Sequence, residues 1–342
     1  MADMQSILER ARFKGATDVH IASGSPVMLR IEGDLVPITK EPLSARGAKE
    51  LSYALLTEEQ IAKFEESLDL DFMTSDESHR RYRVNVSYGD GDVGVSIRLL
   101  ASEPVPLEKL RLPEIAGKLT RARKGLILIT GSTTQGKTTT MNGMIDAINR
   151  YYRRHVITIE DPIEYVHANK NSIVRQREVG KDTKSFHSGL RAALRQNPDV
   201  IAIGEMRDYD TIKIALTAAE TGVLVLSTLH IISIDKIIGR LLAYAPDNSD
   251  GHMRALLAEG LLAVIHQELL PTIEGGNRVA CETLVATDAV RNVIRKRGTF
   301  HLRNLIATGQ RYGMQTMKIS LDQILAEGVI TESVHEAVLE NY

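Results

Sequence analysis

The segment Gly131-Ser132-Thr133-Thr134-Gln135-Gly136-Lys137-Thr138, with Thr139 behind it, constrains this chain more than any other. It matches G-x-x-x-x-G-K-[ST], directly after an apolar run at 126–129 and directly before a helix-like stretch at 139–148, which is the context the pattern requires. Glycines at these places let the backbone wrap phosphate oxygens, while successive N–H groups and the helix N-terminus supply positive potential. Lys137 is positioned to reach the β- and γ-phosphates of a nucleotide, and Thr138 to offer its hydroxyl to Mg²⁺. ATP with Mg²⁺ is the ligand this implies. The bare pattern arises by accident in roughly one chain in a hundred of this length, as a glycine turn that happens to carry Lys-Thr, and the strand-and-helix context makes that reading rarer still.

Beyond the loop, further short apolar runs at 156–159, 200–203 and 223–226 alternate with helical segments, which predicts a parallel sheet covered on both faces. Ligands of such sheets lie beyond the carboxyl ends of the strands. Glu160, Asp161 and Glu164 follow the first of these runs, Glu205 and Asp208 the second, and His230 the third. Taken singly, each has a structural alternative: an exposed acidic turn, or a histidine satisfied within the fold. Together on one sheet edge, after a phosphate loop, they read as the other half of a nucleotide site. Glu205, an acid closing an apolar strand downstream of a phosphate loop, fits that half, because Mg²⁺ and the attacking water need a carboxylate.

The first hundred residues read differently. Strands are expected at 18–22 and 27–32, a turn at Gly33-Asp34, two helices, and a strand at 68–72. The second helix starts with a Thr57-x-x-Gln60 capping box. Segments 81–88 and 93–99 alternate around Gly89-Asp90-Gly91-Asp92, which predicts a hairpin. A register with Tyr82, Val84 and Val86 across from Leu99, Ile97 and Val95 sets Arg83 against Arg98, with Arg81 adjacent. Like charges opposed on a sheet are unfavourable. Either the side chains splay into water, or the cluster awaits phosphate. Pro104, Pro106 and Pro113 mark a linker at 101–113, so the expected domains are 1–100 and 114–342.

Composition narrows the partners. With 42 Lys+Arg against 44 Asp+Glu the net charge is -2, so no global basic field draws in nucleic acid or anionic lipid. The single cysteine, Cys281, excludes a disulfide framework and a multi-cysteine zinc module. The N-terminus, with Asp3, Glu9, Arg10 and Arg12, does not read as a secretory signal. The most apolar stretch, 256–270, is interrupted by Glu259, His266 and Glu268 and is too short to span a bilayer. A soluble, cytoplasmic protein is expected.

These residues resemble the type II/IV secretion ATPases, and within them the pilus-retraction branch, over nearly the whole chain. The anchors are Gly15-Ala16-Thr17-Asp18-Val19-His20, the phosphate loop, Ile159-Glu160-Asp161-Pro162-Ile163-Glu164, Gly204-Glu205-Met206-Arg207-Asp208, Leu226-Ser227-Thr228-Leu229-His230 and Gly313-Met314-Gln315-Thr316-Met317. The resemblance implies a PAS-like N-terminal α+β domain, a RecA-like P-loop motor domain with a mainly parallel sheet, and a homo-hexameric ring driving pilus retraction and twitching motility. It implies Glu164 as the carboxylate that orients the attacking water, Glu205 on the metal side, His230 as the γ-phosphate sensor, and Arg81, Arg83 and Arg98 as arginines that approach the phosphates. It also implies an inner-membrane platform protein as partner at the pilus base. Ala289-Val290-Arg291-Asn292-Val293-Ile294-Arg295-Lys296 is similar to a C-terminal helical motif of the retraction motors, and by pattern alone is an amphipathic helix with a basic side. The chain departs from its relatives at Ser132, Thr134 and Gln135, where proline, glycine and a small residue are usual. The rival functions are a pilus-assembly or type II secretion ATPase, an accessory retraction ATPase, a RecA-like nucleic-acid translocase and a non-catalytic nucleotide-binding regulator.

Overall fold

A computed structural model describes residues 3–31, 33–76, 80–100, 103–246, 249–296 and 301–342. The chain divides into two compact units, Met1–Glu103 and Pro104–Tyr342.

The first unit runs α1 (Met4–Phe13), β1 (Asp18–Ile21), β2 (Met28–Ile31), β3 (Asp34–Pro37), α2 (Ala45–Tyr53), α3 (Glu58–Ser67), β4 (Asp69–Ser75), β5 (Arg81–Gly89) and β6 (Asp92–Leu99). Its strands form an antiparallel sheet in the order β3-β2-β1-β6-β5-β4. The expected strand at 27–32 is β2; Glu32 lies outside the described residues. Two elements went unanticipated. One is β3, exposed along its whole length, and the other is α1, whose buried Met4, Ile7, Leu8 and Ala11 recur at helical spacing. Thr57 and Gln60 form the reciprocal capping box, and Phe64, inside that helix, stacks on Tyr88 with ring centroids 5.1 Å apart.

The β5–β6 register pairs Tyr82 with Leu99, Val84 with Ile97, Val86 with Val95 and Arg83 with Arg98. Asp90 and Gly91 both take positive φ, 52° and 87°, as the tight turn between twisted strands demands. The opposed arginines are relieved from the neighbouring strand: Arg98 Nε donates to Asp18 Oδ1 at 2.9 Å, and Asp18 faces Arg98 across the β1–β6 pair. Asp18→Asn removes that relief, and a loss of about 1 kcal/mol in denaturant unfolding is expected. An unchanged midpoint would mean that Arg98 needs no counter-charge.

The second unit opens with the proline-marked stretch, where Leu107 is buried. There follow α4 (Glu114–Leu119), β7 (Gly125–Thr130), α5 (Lys137–Tyr151), β8 (His155–Glu160), β9 (Ile173–Glu178), α6 (Phe186–Leu194), β10 (Val200–Glu205), α7 (Tyr209–Glu220), β11 (Leu224–Leu229), α8 (Ile234–Leu242) and α9 (Asp250–Gly260). The last elements are β12 (Leu261–Pro271), β13 (Asn277–Val285), α10 (Asp288–Arg295), α11 (Leu302–Thr308), α12 (Met317–Ala326) and α13 (Glu332–Leu339). The sheet order is β13-β12-β7-β11-β10-β8-β9, parallel except for β13. Along β7, Leu126 and Leu128 enter one apolar core with α7 and α9, whereas Ile127 and Ile129 enter the other with α5. Burial on both faces is why these strands read as unbroken apolar runs.

Candidate nucleotide-binding site

The loop from Gly131 to Gly136 leaves β7 and enters α5 at the centre of the sheet, where β11 and β12 flank β7. Half of the α-helices of this unit begin with a side-chain cap, from Ser185, Asp208, Thr287, Thr316 and Thr331. α5 begins instead on Gly136, with φ at 75°, no capping side chain and no acid in its first turn. Its first amides are therefore presented to an incoming anion.

Lys137 is 6 % exposed. Its ammonium donates to the Ser132 carbonyl within the loop and to His230 Nδ1 at 3.1 Å. Burial pushes the Lys137 pKa down, with Glu205 and Glu268 acting in the opposite sense. Because a lysine only donates, His230 Nδ1 carries the lone pair, and its Nε2–H faces Glu205 Oε2 at 3.6 Å. Burial first, then the Lys137 charge, lowers the His230 pKa and keeps the ring neutral. Glu205 ends β10, half-buried, with Arg207 at 2.8 Å. Lys137, Glu205 and His230 thus converge from α5 and from the carboxyl ends of β10 and β11.

The segment that carries Glu164 reaches the same helix by another route. Two strands separate β8 from β7, and Glu160 is buried within β8, accepting from Thr158 at 2.6 Å and Gln176 at 3.1 Å. The segment after β8 is docked on α5: Tyr165 OH lies 3.0 Å from Thr139 Oγ1, His167 Nε2 lies 2.8 Å from Asn142 Oδ1, and Asn142 Nδ2 donates to the Thr138 carbonyl. Asn142 must accept here, so His167 donates, and burial keeps its ring neutral with a pKa of about 4. Arg81, Arg83 and Arg98 lie on one hairpin of the first unit; Arg83 and Arg98 are exposed, and the Arg81 carbonyl accepts from Arg12.

β12 holds the loop from its other side, and the sequence reading missed it. Gln267 Nε2 donates to the Gln135 carbonyl, and Leu269 N donates to Gln135 Oε1. The Gln135 side chain and carbonyl thus fasten the loop to β12. The Gln267 carbonyl presses on Gly131, where an added Cβ would meet it at 2.5 Å. Gly131→Ala is accordingly expected to lower stability by about 2–3 kcal/mol and to weaken nucleotide binding, read by thermal melts with and without ATP. A wild-type melt for this variant would remove the clamp from the account.

Two other motifs lie outside the loop. Gln315 pairs with Thr283 and donates to the Cys281 carbonyl at 2.9 Å, pinning the turn before α12 to β13. In α10, Val290 and Ile294 are buried, while Arg291 donates to the carbonyls of Ala258 and Glu259 at the end of α9, and Arg295 pairs with Glu259. The basic side of α10 is engaged within the chain.

Residues 1–340 match the family described as type II/IV secretion system protein. The chain is 39 % identical to the type IV pilus retraction ATPase PilT of Pseudomonas aeruginosa, over 96 % of either chain. It is 37 % identical to the type IV pilus ATPase PilU of the same organism, over 96 % of this chain and 86 % of that one. Among solved structures, the pilus retraction motor PilT with bound ADP superimposes with a TM-score of 0.90 at 40 % identity, covering 99 % of this chain and 97 % of that one. The Legionella pneumophila ATPase DotB gives 0.89 at 27 %, covering 99 % and 95 %.

Loop, sheet and relatives together define a P-loop ATPase, with a PAS-like α+β domain before a RecA-like motor domain. The chain belongs to the type II/IV secretion system protein family.

Proposed function

We propose that this ATPase is the motor of type IV pilus retraction, working as a homo-hexamer on ATP and Mg²⁺. The observation that carries the reading is the end-to-end likeness to the retraction ATPase, in sequence and in fold, with the loop lysine in place. A gonococcal twitching motility protein, 41 % identical over 89 % of this chain and 81 % of its own length, supports it.

The residues present fit the magnesium nucleotide. Gly131 and Gly136 hold positive φ in the loop and pack against Gln267, and Lys137 is a desolvated cation whose close contacts are a carbonyl and a neutral imidazole. Phosphate oxygens complete its shell. Thr138 and Glu205 would hold Mg²⁺, which neutralises charge on the β- and γ-phosphates when bound. Glu164 orients the attacking water, and neutral His230 hydrogen-bonds the γ-phosphate without adding charge. Arg81, Arg83 and Arg98 steady the phosphates within the ring. Successive hydrolysis turns an inner-membrane platform protein at the pilus base; no helix among the described residues is long and apolar enough to cross a membrane.

Deleting the gene and scoring surface filaments with twitching tests the reading. More filaments and lost twitching are expected, and unchanged filaments would count against it.

A further inference from the structure

Thr130 ends β7 one residue before the phosphate loop, and its hydroxyl is 3.0 Å from Nδ1 of His266, the residue opposite it on β12. His266 is fully buried. Its Nε2 is hydrogen-bonded to Tyr342 OH, which is also 3.1 Å from Glu268 Oε1. The proton order follows from chemistry. A carboxylate only accepts, so the tyrosine O–H points at Glu268; the tyrosine oxygen then accepts from His266 Nε2–H, which leaves His266 Nδ1 to accept the Thr130 hydroxyl. Burial, with the Lys137 charge second, holds the imidazole neutral, its pKa down to about 4.

Tyr342 is itself held from the far side of the site. Arg303 donates to the Tyr342 carbonyl at 3.4 Å and pairs with Asp235 at 3.4 Å, on the helix that follows His230. One chain of contacts therefore runs from the root of the phosphate loop, through β12, to the helix behind His230.

We propose that Tyr342 is a positioning residue for the phosphate loop, acting through the buried His266 ring on Thr130. It touches no nucleotide. Its hydroxyl fixes the tautomer of His266, so β12 meets β7 in one arrangement at the residue from which the loop springs. One residue beyond His266, Gln267 clamps Gln135. The inference rests on the ATPase reading above and adds a residue distant from the phosphates in sequence.

Binding of a fluorescent ATP analogue with Mg²⁺ tests it in wild type, Tyr342→Phe, Thr130→Val and the double variant, beside melting temperatures without nucleotide. Each single variant is expected to bind about tenfold more weakly, with kcat at saturating ATP within about twofold of wild type. The double variant is expected to be no worse than the weaker single, since both break one chain. Wild-type affinity in Tyr342→Phe, or effects that multiply in the double variant, would overturn the proposal. Should Tyr342→Phe unfold, ¹⁵N spectra of wild-type His266 decide: an Nε2–H tautomer whose resonances move when nucleotide is added supports the brace, and a silent ring overturns it. A wild-type protein that binds no nucleotide would defeat the ATPase reading instead.

Discussion

Lys137→Ala is expected to bind Mg·ATP on the order of 10³-fold more weakly and to show no turnover above background. The magnitude follows from Coulomb's law. A unit charge about 4 Å from a phosphate oxygen, at the effective dielectric of a part-buried site, contributes about 4 kcal/mol. In the free protein the same ammonium is poorly compensated, because it has left bulk water for a carbonyl and an imidazole, with Glu205 and Glu268 attracting it from further off. Its removal should therefore leave the nucleotide-free melting temperature equal or higher. That contrast separates lost binding from lost folding: calorimetric titration reads the first and a thermal melt the second. Normal hydrolysis in this variant would end the phosphate-loop assignment.

Glu164→Gln and Glu205→Gln are expected to fail differently. Glu164 belongs to a segment held on the first turns of α5 by Tyr165 and His167, contacts that an isosteric amide leaves in place. Glu164→Gln should therefore keep ATP affinity and lose turnover on the order of 10²–10³-fold, the range of a missing general base. Glu205 draws Arg207 and faces His230, and its charge supports that of Lys137. Glu205→Gln should weaken Mg·ATP binding itself by about tenfold or more, and extra Mg²⁺ should recover part of the loss. Binding isotherms and single-turnover hydrolysis distinguish the two variants. Normal hydrolysis by Glu164→Gln would move the water-orienting role to another carboxylate.

Much of the site was legible because its signals are local. The phosphate loop needs glycines where φ is positive and a lysine at the helix start, and all of these lie within eight consecutive residues. Thr134 is a partial exception: it holds φ at 65°, so the loop keeps a β-branched residue in a conformation such residues avoid. The hairpin register was readable for a similar reason. Side chains alternate with period two, and a two-residue turn leaves one pairing that buries Tyr82, Val84 and Val86 together. The apolar stretch 256–270 was opaque. It joins the end of α9 to most of β12, and an apolar run that is largely buried carries no clear period that tells helix from strand. Gln267, the clamp on the loop, was hidden with it.

By itself the amino-acid order determined what neighbours in the chain can impose: the phosphate loop, its helix, the parallel strands around it and the β5–β6 pairing. Backbone sterics and side-chain period act over a few residues, so these features are written where they occur. Which strands stand side by side is another matter. Arg98 finds Asp18 because β6 lies next to β1, Thr130 finds His266 because β12 lies next to β7, and Tyr342 reaches that histidine from 76 residues further along the chain. Those meetings depend on how whole elements pack to bury their apolar faces, and only the tertiary structure decides them.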